Sequence, residues 1–123
     1  MSVTVDWCAS NIVHVNFEHH WDWREFSEGL RQAYKLMSKS TRVVNLMVDF
    51  VGSVKQVSTS VLTQIVDEVE TPPNQGMIVV VTEDELLGDK IARILKQLAP
   101  TAEIAVVFSG EEAINLIRNR VHA

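Results

Sequence analysis

Reactive and charge-binding chemistry is scarce in this chain. A single cysteine, Cys8, stands among 123 residues, so no intramolecular disulfide is available and a reducing compartment fits. Cys8 sits on a candidate strand with no basic cluster beside it in sequence, the pattern of an inert, partly buried thiol. No apolar run approaches the roughly 18 residues that span a bilayer. The opening MSVTVDW has neither the charged start nor the long apolar stretch of a secretory signal. A cytoplasmic protein that does not enter a membrane is the expectation. Basic residues are few and scattered: 11 Lys and Arg against 16 Asp and Glu, for a formal charge of −5. Such a surface repels phosphate backbones and excludes nucleic acid as a partner. No G-x-G-x-x-G follows a strand and no P-loop is present, which removes the two glycine-dependent phosphate cradles. His19 and His20 are adjacent, and neighbours on an extended chain point apart, so they converge poorly on one ion. With no second pair at ligand spacing, no metal and no cofactor is expected. No acid–base pair or nucleophile constellation is visible either, and the expectation is a protein without catalysis.

What the chain does have is apolar residues, 46% of the total, enough to exclude disorder as the default. At this length a single domain over residues 1–123 is the natural reading. Val3 to Cys8 and Ile12 to Phe17 each alternate with period two. They are separated by the turn Ala9-Ser10-Asn11, the pattern of a hairpin with one buried face. His14 falls on the polar side of the second run. Asp22 and Glu25 then form a capping box. Trp23, Phe26, Leu30, Ala33, Tyr34 and Met37 recur at helical spacing as far as Ser38.

A third strand spans Val43 to Asp49, with Val44, Leu46 and Val48 on one face and Asn45, Met47 and Asp49 on the other. Gly52 and Ser53 make a bend. A helix follows from about Ser58 to Val69, with one of Ser58, Thr59 and Ser60 as its cap. Pro72, Pro73 and Gly76 end in a loop what came before. Met77 to Val81 is apolar throughout, as befits a central strand covered on both faces. Thr82 and Glu85 read as the next capping box, ahead of the stripe Leu87, Ile91, Ile94, Leu95 and Leu98. Ile104 to Phe108 is the last strand. Ser109 and Glu112 open a final helix striped by Ala113, Ile114, Ile117 and Val121. The order β-β-α-β-α-β-α-β-α demands a mostly parallel five-stranded sheet with an antiparallel N-terminal hairpin at its edge and four helices. The segment Phe108 to Glu112 is similar to the start of the last helix in bacterial receiver domains. The paired acids and late lysine of that family are absent, which sets it aside.

The stretch Arg42 to Leu62, RVVNLMVDFVGSVKQVSTSVL, carries a more specific likeness. Together with the element order, it resembles a STAS (SpoIIAA-like) domain, the family typified by sporulation anti-anti-sigma factors and the cytosolic domains of sulfate transporters. In that family a strand ending in Asp leads through a bend to Asp-Ser-Ser-Gly-Leu at a helix start. Here the strand-end acid is Asp49, Gly52 falls in the bend, and the motif falls on Val57-Ser58-Thr59-Ser60-Val61. Val57 stands where the family has Asp, and Ser60 where it has Gly.

The resemblance implies a right-handed β-α superhelix with helices mostly on one side of the sheet. It implies a regulatory module that binds a kinase-like or sigma-regulating protein near Asp49, Gly52, Ser53, Ser58, Thr59 and Ser60, with Thr59 as the position of phosphorylation. The same superhelix occurs in lipid-carrying domains. The rival reading is a nucleotide or lipid carrier with a pocket between sheet and helices and Trp21 or Trp23 near its mouth. If helices cover one face, the other face, with His14, Asn16, Asn45 and Met47, is left partly open. A two-fold copy is the commonest way to close such a face, so a homodimer is expected.

Overall fold

The computed structural model describes residues 3–18, 21–50 and 69–121. Strands β1 (Val3–Ala9), β2 (Ile12–Phe17), β3 (Val44–Phe50), β4 (Gln75–Val81) and β5 (Ile104–Val107) lie side by side in chain order. β1 pairs antiparallel with β2, and the remaining pairs are parallel. The described helices are α1 (Trp23–Ser38), α2 (Glu85–Leu98) and α3 (Gly110–Val121). The helix expected from Ser58 lies outside the described residues up to position 68. Val69 follows as irregular chain, buried in the main core.

Strand order dictates which face each helix covers. A right-handed crossover between neighbouring parallel strands puts its connection on the same face each time the sheet grows in one direction. α1, which joins β2 to β3, and α2, which joins β4 to β5, bury their stripes in one core with Val13, Val15, Leu46, Val48, Ile78 and Val80. α3 follows β5 and covers the other face, where Ala113 and Ile117 pack with Met47, Val79 and Val81. This narrows the expectation of a partly open second face. Asn45 and Met47 are only 5% and 3% exposed. Thr4 and Asp6 on β1 are exposed, and His14 and Asn16 on β2 are half-buried. Cys8, at an irregularity of β1, is exposed rather than partly buried.

The main core is aromatic at the carboxyl end of the strands. Phe17 and Phe50 stack with centroids 5.0 Å apart, and Trp21 meets Trp23 edge-on at 5.0 Å. Trp21 is buried among Phe17, Phe26 and Phe50. These rings fill the space between them on the sheet side of α1. α1 lies close over the hairpin because Gly29 has no side chain: a Cβ there would come within 3.0 Å of Val3 Cγ1 and 3.1 Å of Phe17 Cζ.

Two asparagines hold the opposite end of the sheet. The ladder between β3 and β4 shifts register between Val44 and Leu46, and a shift leaves backbone groups without ladder partners. Asn45 fills the gap: its Oδ1 accepts from Met77 N at 2.9 Å, and its Nδ2 donates to Asn11 O at 3.3 Å. The two hydrogens of Asn74 Nδ2 are shared among three carbonyls, Met37 O (2.8 Å), Ser40 O (3.1 Å) and Arg42 O (2.8 Å). It thereby latches the end of α1 to the entry of β3.

Candidate functional site

The helix starts were foreseen as capping boxes, and at two of the three the foreseen first residue is the cap. Asp22 Oδ1 accepts from Glu25 N at 2.8 Å. Ser109 Oγ accepts from Glu112 N at 3.2 Å, while the Glu112 carboxylate reaches back to Phe108 N at 3.1 Å. At α2 the cap is Asp84 rather than Thr82: Asp84 Oδ1 accepts from both Leu86 N (3.0 Å) and Leu87 N (3.1 Å). Thr82 turns inward instead, is buried, and accepts from Asp84 N at 3.1 Å. A carboxylate satisfies orphan helix N–H groups better than a hydroxyl and also suits the positive end of the dipole.

These two later starts frame a cleft. α2 leaves β4 toward one face of the sheet, and α3 leaves β5 toward the other. Between them, beyond the carboxyl ends of β3 to β5, no element fills the crevice among the described residues; in open α/β sheets such crevices are where ligands and partners bind. The cleft has a volume of about 840 Å³. Phe50, Val81 and Thr82 line it together with Asp49, the Glu83–Leu86 turn and the Phe108–Gly110 turn.

Of the site residues expected from the sequence, Asp49 is the one the structure brings to this cleft. Gly52, Ser53, Ser58, Thr59 and Ser60 lie outside the described residues. Asp49 does not stand alone. His14 Nε2 lies 3.1 Å from its Oδ2 across the β2–β3 pair. A carboxylate only accepts, so that ring nitrogen carries the proton. Asp6 is the register partner of His14 on β1. Period-two alternation put His14 and Asp49 on polar faces of their strands. Only the parallel register of β2 on β3 makes them partners.

The residues that sequence reasoning missed are Leu86 and Phe108. Leu86 was hidden within an otherwise amphipathic helix start. Phe108 was counted as the last residue of β5, which in fact ends at Val107. Leu86 is 75% and Phe108 55% exposed, and both line the cleft. Two large apolar side chains exposed on the lining of one concavity make it a candidate interaction surface.

Among the described residues the charged lining has one sign. Asp49, Glu83, Asp84 and Glu85 line the cleft, with no Lys or Arg among its described lining residues. The two helix N-termini contribute roughly +0.5 elementary charge each and cannot balance four carboxylates. A phosphate or carboxylate ligand is disfavoured here and a cation is favoured. Among the described residues, no group of three or more His, Cys, Asp or Glu could hold a metal ion. Nor is any described helix long and apolar enough to cross a membrane.

One buried group at the other end of the molecule has a displaced titration. Tyr34 is 4% exposed, and burial pushes its phenol up to about 12. Thr71 lies beside it and pulls the value weakly the other way. The Thr71 hydroxyl already donates to Leu98 O at 2.6 Å, and the Tyr34 hydroxyl has no partner of good geometry. It belongs to the packing of α1, far from the crevice.

Comparison of the chain with protein-family models, with curated proteins and with solved structures finds no match. The likeness to STAS domains therefore rests on the residues of this chain and on its order of elements.

Proposed function

We propose that this chain is a non-catalytic regulatory module of STAS type that docks a protein partner on the crevice at the carboxyl ends of β3, β4 and β5. The observation that carries this reading is the pair of exposed apolar side chains, Leu86 and Phe108, at the rim of a cleft that also contains Asp49. Asp49 is the strand-end acid to which the resemblance assigns the partner surface. The one-directional strand order, with α1 and α2 on the same face, supports the β-α superhelix that the resemblance implies. The carboxylate-rich lining speaks against the nucleotide alternative, since phosphates would meet charge of their own sign. The aromatics packed around Trp21 speak against the carrier.

A kinase-like or sigma-regulating protein is the partner class, and Thr59 is the position at which a phosphate would act. Added at a helix start, about −1.5 to −2 charges would be tolerated by the fold and would repel a partner fitted to a hydroxyl. Self-association belongs with the same proposal: a dimer mass by light scattering at high micromolar concentration supports it, and a monomer mass overturns it.

The docking reading is tested by affinity capture from the native host, with wild type beside a Leu86→Ser, Phe108→Ser double variant of equal melting temperature. A protein retained by wild type and lost from the variant is the expected result. Equal recovery by both would remove the crevice as the docking site.

A further inference from the structure

Resting on that docking reading, we infer that the occupant of the crevice is a cationic, apolar-anchored segment of the partner: Lys or Arg side chains flanking an aliphatic or aromatic residue seated between Leu86 and Phe108. The apolar half of this description comes from exposure. Leu86 and Phe108 are both exposed and both line the cleft, at the starts of α2 and α3. Burying one partner side chain between them removes apolar surface on three residues at once, and a central apolar anchor ringed by polar contacts is the usual plan of a hot spot.

The cationic half comes from charge. Glu83 and Glu85 are exposed and flank the Asp84 cap, so their carboxylates are free to meet a guanidinium or ammonium group. Asp49 lies deeper, held on one side by His14. An acidic segment entering the same groove would set like charges face to face and leave them desolvated, which disfavours it. The charge is local, and so it selects a partner rather than merely repelling polyanions. Arg118 and Arg120 stand in the last turn of α3, at the end of that helix away from the crevice, and Arg120 is paired with Glu103 at 2.8 Å.

The test is a titration of the full ¹⁵N-labelled chain with a short synthetic peptide of alternating Arg and Leu, and with its Glu/Leu counterpart. The Arg/Leu peptide is expected to shift the amides of residues 82–86 and 108–110 and to bind at least tenfold more tightly than the Glu/Leu peptide. Two charge-reversed proteins of equal net charge separate local from global electrostatics: Glu83→Lys with Glu85→Lys in the crevice, and Glu28→Lys with Glu70→Lys outside it. The first is expected to weaken the Arg/Leu peptide tenfold or more, and the second by less than threefold. Equal weakening by both pairs, equal affinity for the two peptides, or shifts mapping elsewhere would overturn the inference. A third variant, Phe108→Ser, keeps this result apart from the docking reading. If Phe108→Ser loses the peptide while Glu83→Lys with Glu85→Lys keeps it, the crevice docks apolar segments but does not select cations. If Phe108→Ser keeps the peptide, the crevice is not the docking surface at all.

Discussion

Gly76 offers the sharpest check on how the sheet is held together. An added Cβ at this position would lie 2.5 Å from Asn45 Oδ1 and 2.8 Å from Val43 Cγ1. Val43 is exposed and swings away at little cost. Asn45 is enclosed, and its oxygen is the acceptor for the buried Met77 N–H. Gly76→Ala therefore displaces that oxygen and leaves a backbone donor unpaired, which costs about 1–3 kcal/mol. The Gly76 backbone is not in the left-handed region, so alanine adds no strain and restricts the unfolded chain, returning about 0.4–1 kcal/mol. The net expectation is a loss of about 1–2 kcal/mol.

Asn45→Ala orphans the same N–H. Asn11 O keeps its bond from Asn45 N at 2.8 Å, so this single variant also loses about 1–3 kcal/mol. In the double variant the methyl group introduced by Gly76→Ala no longer meets Asn45 Oδ1, and the oxygen left near it is Val44 O at 3.2 Å, a tight contact that a small shift relieves. Its loss should match that of Asn45→Ala alone, with a coupling energy of about 1–2 kcal/mol against additivity. Urea unfolding of the four proteins measures this, and amide exchange at Met77 should accelerate in both single variants. Losses that add to within about 0.5 kcal/mol, or a Met77 amide as protected as in wild type, would refute the assignment of Asn45 as the group that closes the register shift.

The remaining expectations are quicker to state. Tyr34 has a folded pKa of about 12 against about 10 when unfolded. The unfolded chain thus loses its proton first as pH rises. Stability from this group is intact below about pH 10 and falls between about 10 and 12, by roughly 2–3 kcal/mol. Tyr34→Phe, which removes a hydroxyl without a partner, should flatten that alkaline loss in thermal melts across this range without destabilising the protein at pH 7. Asn74→Ala releases three carbonyls at once and should lower stability by about 1–3 kcal/mol in urea, with exchange accelerated at the α1–β3 junction. Phe50→Ala removes a ring stacked on Phe17 and should cost about 3–5 kcal/mol; Phe108→Ser, exposed at the rim, should stay within about 0.5 kcal/mol of wild type. If Phe108→Ser proved as damaging as Phe50→Ala, Phe108 would be part of the core and not of a docking surface.

Much of the architecture follows from local pattern. Alternation over β1 and β2, the unbroken apolar run in β4, and the stripes of α1 and α2 each specify an element, because a buried face imposes a period on the chain whatever the fold around it. The capping acids and hydroxyls set helix starts within a residue or two, since the same few N–H groups need partners in any helix. What local pattern does not contain is which face a helix covers. α3 has an ordinary apolar stripe. Nothing in that stripe says that α3 lies on the face opposite α1 and α2, where Ala113 and Ile117 pack with Met47 on a face expected to be partly open.

The candidate site divides in the same way. The polar position of Asp49 at a strand end is legible in sequence. Its bond to His14 spans 35 positions and exists only through the β2–β3 register. Leu86 and Phe108 are 22 residues apart by their numbering and look like core residues one at a time. They become the rim of a crevice because α2 and α3 leave neighbouring strands in opposite directions, a divergence that tertiary packing sets and no local pattern encodes.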